Sequence, residues 1–278
     1  MSTPEDFSTH PSRVRFLGSE SEAAHGRMYG VIAEHYDAMY DSDRPRLASE
    51  FLHDVFQRHE PVQTVLDMAC GTFYIDLEIL DRGYDVVGCD VSPHMLKVAQ
   101  GNLRKAGREA ELFQVDMRDL NLSRRFDAVI CLGTAFNYLH TEEDWRLAFQ
   151  RFRDHLRPDG IVVLDMNNFE RWIDDPTNAG VEMDYSAPDG MRIVWFKFNE
   201  QNAAKTQHMA RFLTVIQQND VIEVALDEAI LKVWHKETLA QALQDHGFRP
   251  IEWWGDLKKG EPYNNPESHR LICVALRD

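Results

Sequence analysis

Three aspartates in the first half of the chain are placed so that they could act together on one ligand. Asp67, Asp90 and Asp116 each stand at or just after the end of an apolar, strand-like run. Because parallel strands end at one edge of a sheet, we expect the three carboxylates to meet where the strand order reverses. Carboxylates at such an edge can attract an ammonium group and accept hydrogen bonds from hydroxyl and amine groups.

The turn after Asp67 has small residues where a ligand would touch the main chain. Ala69 and Gly71 allow close approach to the backbone, and the helix that follows presents unpaired N–H groups. A dinucleotide would need the spacing GxGxxG, which is absent, and Asp67 would repel its pyrophosphate. S-adenosylmethionine fits better, because Asp67 can meet its ammonium group, Asp90 its ribose and Asp116 its adenine amine. We therefore predict S-adenosylmethionine as the cofactor.

The elements that must position these residues follow a regular alternation of short apolar runs and helical stretches. This alternation predicts a parallel sheet covered by helices on both faces. The predicted strands of this part are 64–68, 85–90, 111–115, 128–132 and 161–164, and the predicted helices are 28–40, 44–58, about 72–82, 92–105 and 142–156.

After residue 165 the pattern changes to long segments in which polar and apolar residues alternate. They predict an antiparallel β insertion over about residues 180–235, which would serve as a lid or platform. The strands predicted here are 191–199, 205–217, 221–233 and a final hairpin of 249–254 and 269–276, with a helix at 236–246. The expected fold is a doubly wound α/β domain whose seven-stranded sheet is mostly parallel.

The first 27 residues differ in composition from the rest of the chain. They are rich in Ser, Pro, Glu and His and show neither helical nor strand periodicity. We predict a flexible N-terminal arm over 1–27 and one folded domain over 28–278.

Composition narrows the class of partner. The 278 residues include 30 Lys+Arg and 46 Asp+Glu, a formal net charge of −16, which argues against a nucleic-acid or anionic-membrane partner. Four cysteines lie far apart without a CxxC pair, which predicts free thiols and no metal site. We find neither a signal-like apolar run nor the roughly 20 apolar residues that span a bilayer, so we predict a cytoplasmic protein.

The chain resembles a known family at the same positions. Residues 67–73, Asp90 and residues 126–133 together are similar to the class I S-adenosylmethionine-dependent methyltransferases. The closest likeness is to the glycine N-methyltransferase family and related small-molecule N-methyltransferases, and it covers about residues 29–276, including the late insertion and His208-Met209.

The resemblance implies roles for individual residues. N-terminal residues would enclose the cofactor, with Arg46 reaching its carboxylate, and Leu132 would contact its methionyl part through the backbone. With Asp67 and the neighbours of Asp90, the predicted cofactor-binding set is Tyr29, Tyr36, Arg46, Asp67, Ala69, Gly71, Asp90, Val91, Met95, Asp116, Met117 and Leu132.

Departures from the family bear on the cofactor and the acceptor. Phe73 stands where the family usually has glycine, and we expect its ring to narrow the entrance for the cofactor. Asn167 replaces an arginine that would clamp a glycine carboxylate, and Thr134 and Tyr138 replace an Asn and a His of the substrate pocket. An Asn cannot form that bidentate, charge-assisted pair, which argues against glycine itself as the acceptor.

Several residues are candidates for the acceptor pocket. Tyr138 and His140 follow the end of the fourth strand, and with Tyr36 they are the predicted catalytic residues. For His235, which opens the late helix, capping of that helix is the alternative to a role in binding. The predicted substrate-binding set is Tyr138, Asn167, Trp195, Arg211, Trp234 and His235.

We predict methyl transfer to a small-molecule acceptor, at an amine nitrogen of an amino acid, an amino sugar or a specialised metabolite. Alignment of donor and acceptor supplies most of the acceleration, and a neutral amine needs no dedicated base. A hydroxyl or carboxyl acceptor is the nearest alternative, and a non-catalytic cofactor-binding or interaction protein is another, for which Phe73 is the best argument. The state of assembly, monomer or homo-oligomer, is left open.

Overall fold

A computed structural model describes residues 13–16, 30, 32–39, 42–59, 61–172, 179–265 and 267–278. In chain order, the strands in this part are β1 (Arg13–Phe16), β2 (Thr64–Asp67), β3 (Asp85–Asp90), β4 (Glu111–Gln114), β5 (Phe126–Cys131), β6 (Leu156–Asn167), β7 (Ala179–Ser186), β8 (Arg192–Gln201), β9 (Gln207–Gln218), β10 (Val221–Lys232), β11 (Phe248–Trp254) and β12 (Arg270–Arg277). The α-helices are α1 (Arg44–Arg58), α2 (Tyr74–Asp81), α3 (Pro93–Ala106), α4 (Glu142–His155) and α5 (Lys236–Asp245), and 3-10 helices occupy Ala33–Met39, Ala135–Tyr138 and Phe169–Trp172.

The central sheet has seven strands in the order β11-β12-β6-β5-β2-β3-β4. The strands from β6 to β4 are parallel, while β12 and β11 are added antiparallel at one side as the predicted hairpin. Chain order reverses between β2 and β5, so a crevice opens at the carboxyl ends of these strands. The predicted α/β fold and its mostly parallel seven-stranded sheet are confirmed.

Helices cover both faces of this sheet because its inner strands are apolar on both sides. In β5, Val129 and Cys131 belong to the buried cluster under α4 and α5, whereas Ala128 and Ile130 belong to the cluster under α1, α2 and α3. All four residues are fully buried. A continuous apolar run is therefore what a central parallel strand requires.

A second sheet of five strands, in the order β1-β10-β9-β8-β7, forms the predicted late insertion. Strands β7 to β10 are antiparallel to their neighbours, and β1 is parallel to β10, from Arg13 opposite Val221 to Phe16 opposite Val224. The inner face packs on the rest of the molecule through two further buried clusters. Strands β8, β9 and β10 match the prediction, and β7 was missed.

Of the predicted N-terminal arm, residues 13–16 are described, and they form β1. The other residues of the arm lie outside the described part, and its flexibility stays a prediction. A four-residue strand is too short to show an alternating pattern, and it is held by main-chain pairing with β10 rather than by its own sequence. In the helix predicted over 28–40, the described residues 30 and 32 are α-helical, and the later part is the 3-10 helix Ala33–Met39.

That 3-10 helix is fastened to the turn after β2. The hydroxyl of Thr72 donates a hydrogen bond to Asp37, and Asn102 Nδ2 donates to the other carboxylate oxygen of Asp37 at 2.7 Å. Asn102 also donates to the carbonyl oxygen of Thr72 at 3.1 Å. The N-terminal segment and α3 are therefore linked to the same turn that was predicted to hold the cofactor.

Phe73 ends this turn in a conformation that explains why glycine suits the position. Its φ is +64°, in the left-handed region, and its side chain is fully buried in the core. A Cβ atom on Gly88 would lie 2.9 Å from Cε2 of the Phe73 ring and 2.7 Å from Sγ of Cys70. The expectation that the ring narrows the cofactor's entrance is wrong, because the ring points into the core beneath β3.

We expect Phe73→Ala and Phe73→Gly each to lower the free energy of unfolding by about 3–5 kcal/mol, because both remove a buried ring. Glycine relieves the left-handed strain, so the Gly variant should be more stable than the Ala variant by about 1 kcal/mol. Urea denaturation of the pair measures both effects. An Ala variant as stable as the Gly variant would contradict the strain at this position.

Candidate functional site

A cavity of about 740 Å³ opens at the carboxyl ends of β2, β3, β4 and β5. It brings together residues from five separate stretches of the chain that sequence reasoning had selected. The predicted residues that line it are Tyr36, Asp67, Ala69, Gly71, Asp90, Val91, Met95, Asp116, Met117, Leu132, Tyr138 and His140.

Asp67 and Asp90 organise the turn between β2 and α2. Asp67 Oδ1 accepts a hydrogen bond from the N–H of Ala69 at 2.9 Å, and Asp90 Oδ2 accepts one from the N–H of Gly71 at 2.9 Å. Asp90 Oδ1 also accepts from the N–H of Ser92 at 2.8 Å. Gly71 has a φ of +53°, and no atom lies within 4 Å of where its Cβ would stand, so a ligand can reach this backbone.

Asp67 faces a second buried carboxyl group, that of Asp76 on α2. Burial, opposed by the hydrogen bond from Ala69 and reinforced by the charge of Asp90, raises the pKa of Asp67 to about 7. Burial, the charge of Asp67 and a hydrogen bond with it raise the pKa of Asp76 well above its ordinary value. Asp76 Oδ1 has no hydrogen-bond partner. Two crowded carboxyls beside an open cavity are stabilised by a bound cation, which suits the ammonium group of S-adenosylmethionine.

Asp76 was missed from the sequence although a signal was present. It precedes Ile79 by three residues on a helix whose buried residues include Ile75 and Ile79. An acid at that spacing lies on the buried face, where an ionised group needs a compensating partner.

Asp116 is held by a cation that sequence reasoning also missed. Its Oδ1 accepts hydrogen bonds from the N–H and Nε of Arg118, both at 2.9 Å, and its Oδ2 accepts from Nη2 at 2.7 Å. Burial works against ionisation, yet these hydrogen bonds and the charge of Arg118 hold the pKa of Asp116 below its ordinary value. Arg118 also donates to Asp144, and both line the cavity. The role of Asp116 toward an adenine amine stays a prediction.

Two arginines at the start of α1 differ in position, and Arg46 is the one predicted to reach the cofactor's carboxylate. Arg46 does not line the cavity, because its guanidinium pairs with Glu50 at 2.9 Å and with Asp43 at 3.6 Å. Arg44, at the start of α1, lines the cavity instead. Tyr29, also predicted, lies outside the described residues.

Of the six residues in the predicted substrate-binding set, Tyr138 alone lines the cavity. The tryptophans are core residues, since Trp195 lies edge-on to Phe212 in the five-stranded sheet and Trp234 stacks on Phe136 at 5.8 Å. Arg211 is half exposed and donates to Glu228 at 2.8 Å. From the same sheet, Glu228 and Ile230 reach the cavity, and neither was predicted.

His235 and Asn167 are occupied by other side chains. His235 precedes α5, and its Nδ1 lies 2.5 Å from a carboxylate oxygen of Glu170. The side-chain oxygen of Asn167 accepts a hydrogen bond from Arg270 of β12. A guanidinium therefore lies beside residue 167 although that residue is not an arginine. The two residues are 103 positions apart in sequence, so the pairing could not be predicted from local spacing.

Arg270 and Asp165 shape the loop that carries Tyr138 and His140. Asp165 accepts from Arg270 Nε at 2.6 Å and from the N–H of Gly133 at 3.0 Å, and Arg270 also donates to Thr134 Oγ1 at 3.0 Å. Thr134 has a φ of +79°. This buried ion pair holds the strained start of the loop against the end of β6.

Within the described residues, no group of three or more His, Cys, Asp or Glu side chains could hold a metal ion. The same part of the chain contains no helix with the length and apolar character needed to cross a membrane. All four cysteines are free and buried.

Known proteins resemble this chain over most of its length. The family described as methyltransferase domain matches residues 65–160. A glycine/sarcosine N-methyltransferase of Halorhodospira halochloris is 28% identical over 99% of this chain and 97% of its own. A dTDP-3-amino-3,4,6-trideoxy-alpha-D-glucopyranose N,N-dimethyltransferase of Streptomyces venezuelae is 30% identical over 80% of this chain and 92% of its own. The crystal structure of Streptomyces venezuelae DesVI shares the fold, with a TM-score of 0.73, 22% identity, and coverage of 93% of this chain and 100% of that one.

We expect Arg44→Ala to weaken binding of S-adenosylhomocysteine by about 1.5–3 kcal/mol, the scale for losing a hydrogen bond to a charged group. Arg46→Ala is the matched control, and it should change binding by less than about 0.5 kcal/mol because its ion pairs are exposed. Isothermal titration calorimetry measures both variants. Equal losses of binding free energy in the two variants would contradict the assignment of Arg44 and favour Arg46 as the partner of the ligand's carboxylate.

Binding of S-adenosylhomocysteine should be roughly tenfold tighter at pH 7 than at pH 5.5, because Asp67 must lose its proton to hold an ammonium group. Asp67→Asn should abolish this pH dependence.

The free energy of unfolding of the ligand-free protein should change with pH in the opposite sense. Between the unfolded pKa near 3.8 and the folded pKa near 7, the folded state binds the extra proton, so the Asp67 contribution falls as pH rises. Calorimetric titration measures the affinity for S-adenosylhomocysteine at both pH values. Equal affinities at pH 7 and pH 5.5 would contradict the role of Asp67 in binding the ammonium group.

Proposed function

The chain belongs to the S-adenosylmethionine-dependent methyltransferases, and from this premise we propose that it methylates an amine nitrogen of a small molecule: an amino acid, an amino sugar or a specialised metabolite. The observation that carries the proposal is that relatives aligned with most of the chain, β insertion included, are N-methyltransferases named for amino acids and amino sugars. The β insertion contributes Glu228 and Ile230 to the cavity wall. A cavity bounded in this way is suited to a small acceptor.

The residues at the turn fit the cofactor. S-adenosylmethionine, when bound, supplies a methyl group already activated on a sulfonium. Asp67 with Asp76 would hold the ammonium group, Asp90 would accept from the ribose, and Arg44 would meet the carboxylate. Asp90 is rigid in this role because two main-chain N–H groups fix its oxygens before any ligand binds.

On the acceptor side, the chain's contribution is alignment and charge. Tyr36 and Tyr138 line the cavity from opposite sides of the fold, one from the N-terminal 3-10 helix and one from the loop after β5. We assign them the orientation of the amine, since aligned donor and acceptor supply most of the acceleration in such a transfer. Glu228 and Asp144 also line the cavity, where each is paired with an arginine and can accept a further hydrogen bond from the amine.

The amine must lose its proton before it can accept a methyl group. His140 lines the same cavity and is exposed, with its Nδ1 3.3 Å from the carbonyl oxygen of Tyr138. This position at the rim lets His140 pass the proton to solvent, so the buried part of the site needs no dedicated base. The absence of nucleic-acid partners, the state of assembly and a cytoplasmic location stay predictions.

The test is turnover with methyl-deuterated S-adenosylmethionine and matched acceptor pairs, followed by mass spectrometry. The pairs are glycine or sarcosine against glycolate, and nucleotide-linked amino sugars against the same sugars with a hydroxyl in place of the amine. We expect label on the amine member of at least one pair. Tyr138→Phe should lower kcat/KM by roughly five- to tenfold, the scale of one lost hydrogen bond.

Asp90→Ala is the control. This variant should lose turnover because it binds the cofactor poorly, and not because its acceptor pocket has changed. Label found solely on hydroxyl members would replace the proposal with O-methylation. Binding of the cofactor without turnover of any acceptor in the panel would count against an amine of these classes.

A further inference from the structure

A second cavity, of about 470 Å³, lies at the opposite edge of the central sheet. It is bounded by α4, the end of α5 and the end of β12, and its charged or titratable walls are Arg146, Arg153, Arg277, Asp154, Asp245 and His246. We call it the arginine cavity. The two cavities share no lining residue, although Arg146 of this cavity lies only two positions after Asp144 of the larger one on α4.

Two of the arginines have no partner. Arg146 and Arg153 form neither an ion pair nor a hydrogen bond from their guanidinium groups with any residue that the structure describes. The carboxylates of the cavity face other groups, since Asp154 pairs with Arg151 at 3.4 Å and Asp245 accepts from Gln241 at 2.8 Å. The lining has three arginines against two aspartates, and the charge of Asp154 also acts on Arg277, so this region carries a small excess of positive charge in a chain whose net charge is −16.

Arg277, the third arginine of the cavity, is partly buried and lies close to other positive charges. Arg277 donates through Nη1 to the carbonyl oxygen of Leu156, while its Nε is buried without a partner. Burial, followed by the charges of Arg125 and Arg153, lowers the pKa of Arg277. Like charges held this close are unfavourable, and an anion between them removes the repulsion.

The guanidinium of Arg153 packs against the backbone at Gly247. A Cβ atom on Gly247 would lie 3.1 Å from Cζ of Arg153, so the guanidinium rests against the glycine that follows α5. Gly247 has a φ of +79°, which favours glycine and leaves this surface open for the guanidinium.

We propose that the arginine cavity binds the phosphate group of a small hydroxylated molecule. Guanidinium groups form planar, bidentate pairs with phosphate, and three arginines line this cavity. The volume falls in the range of about 300–1,000 Å³ that small-molecule sites occupy, so it accommodates more than a bare phosphate. Asp154, Asp245 and Gln150 line the remaining wall and accept hydrogen bonds from hydroxyls. This site is independent of the methyl acceptor.

The experiment is isothermal titration calorimetry of the full chain, with the cofactor site saturated by S-adenosylhomocysteine. The probes are glucose 6-phosphate, inorganic phosphate and glucose. R146Q/R153Q removes two exposed arginines of the cavity and preserves its buried contacts. R104Q/R108Q makes the same change of charge at the end of α3 and serves as the matched control.

We expect saturable binding of glucose 6-phosphate, weakened at least tenfold in R146Q/R153Q and changed less than about twofold in R104Q/R108Q. Inorganic phosphate should bind more weakly at the same site, and glucose should not bind. The proposal is overturned by an absence of saturable binding up to about 10 mM, or by equal weakening in both double variants. Circular dichroism of each variant confirms that the fold is retained.

Discussion

The crowding of carboxyl groups at the end of β2 is the constraint on which the rest of the structure depends. Asp67 and Asp76 are both nearly fully buried, and Asp90 adds a third carboxyl group to the same turn. Burying ionisable groups together costs stability, so a chain that keeps them needs a cation to neutralise them. In the proposed site, the ammonium group of S-adenosylmethionine would supply this cation. The turn is rigid because main-chain N–H groups, rather than mobile side chains, hold Asp67 and Asp90.

The other parts of the site are attached to this turn by long-range contacts. Thr72 and Asn102 fasten the N-terminal 3-10 helix over it through Asp37, which brings Tyr36 to the cavity. On the other side, the Asp165–Arg270 pair holds the loop of Tyr138. The five-stranded sheet then closes the cavity with Glu228 and Ile230. The cofactor half is thus built from consecutive strands and turns, and the acceptor half from elements that are distant in the chain.

This division explains how well each half could be predicted. Asp67, Ala69, Gly71, Asp90 and Asp116 line one cavity because strand ends in a parallel sheet share an edge, which local patterns reveal. Trp195, Trp234 and Arg211 were selected by residue type alone, and the structure places them in the core or on an exposed face. Arg46 was selected by resemblance, yet the helical position of Arg44 turns its side chain to the cavity. Phe73 is a further example. The sequence shows that a phenylalanine stands where the family usually has glycine, but it does not show where the ring points.

By itself, the sequence determined the order of strands and helices, the parallel sheet, the trio of aspartates and the class of cofactor. These follow from periodicity and from residues at strand ends, which are local properties of the chain. Tertiary structure alone decided that Asp76 faces Asp67, that Arg118 holds Asp116 and that Arg270 lies beside Asn167. It also decided that three arginines from two distant elements line one cavity. Each of these depends on the direction of a side chain and on partners brought together by packing, which spacing along the chain does not encode.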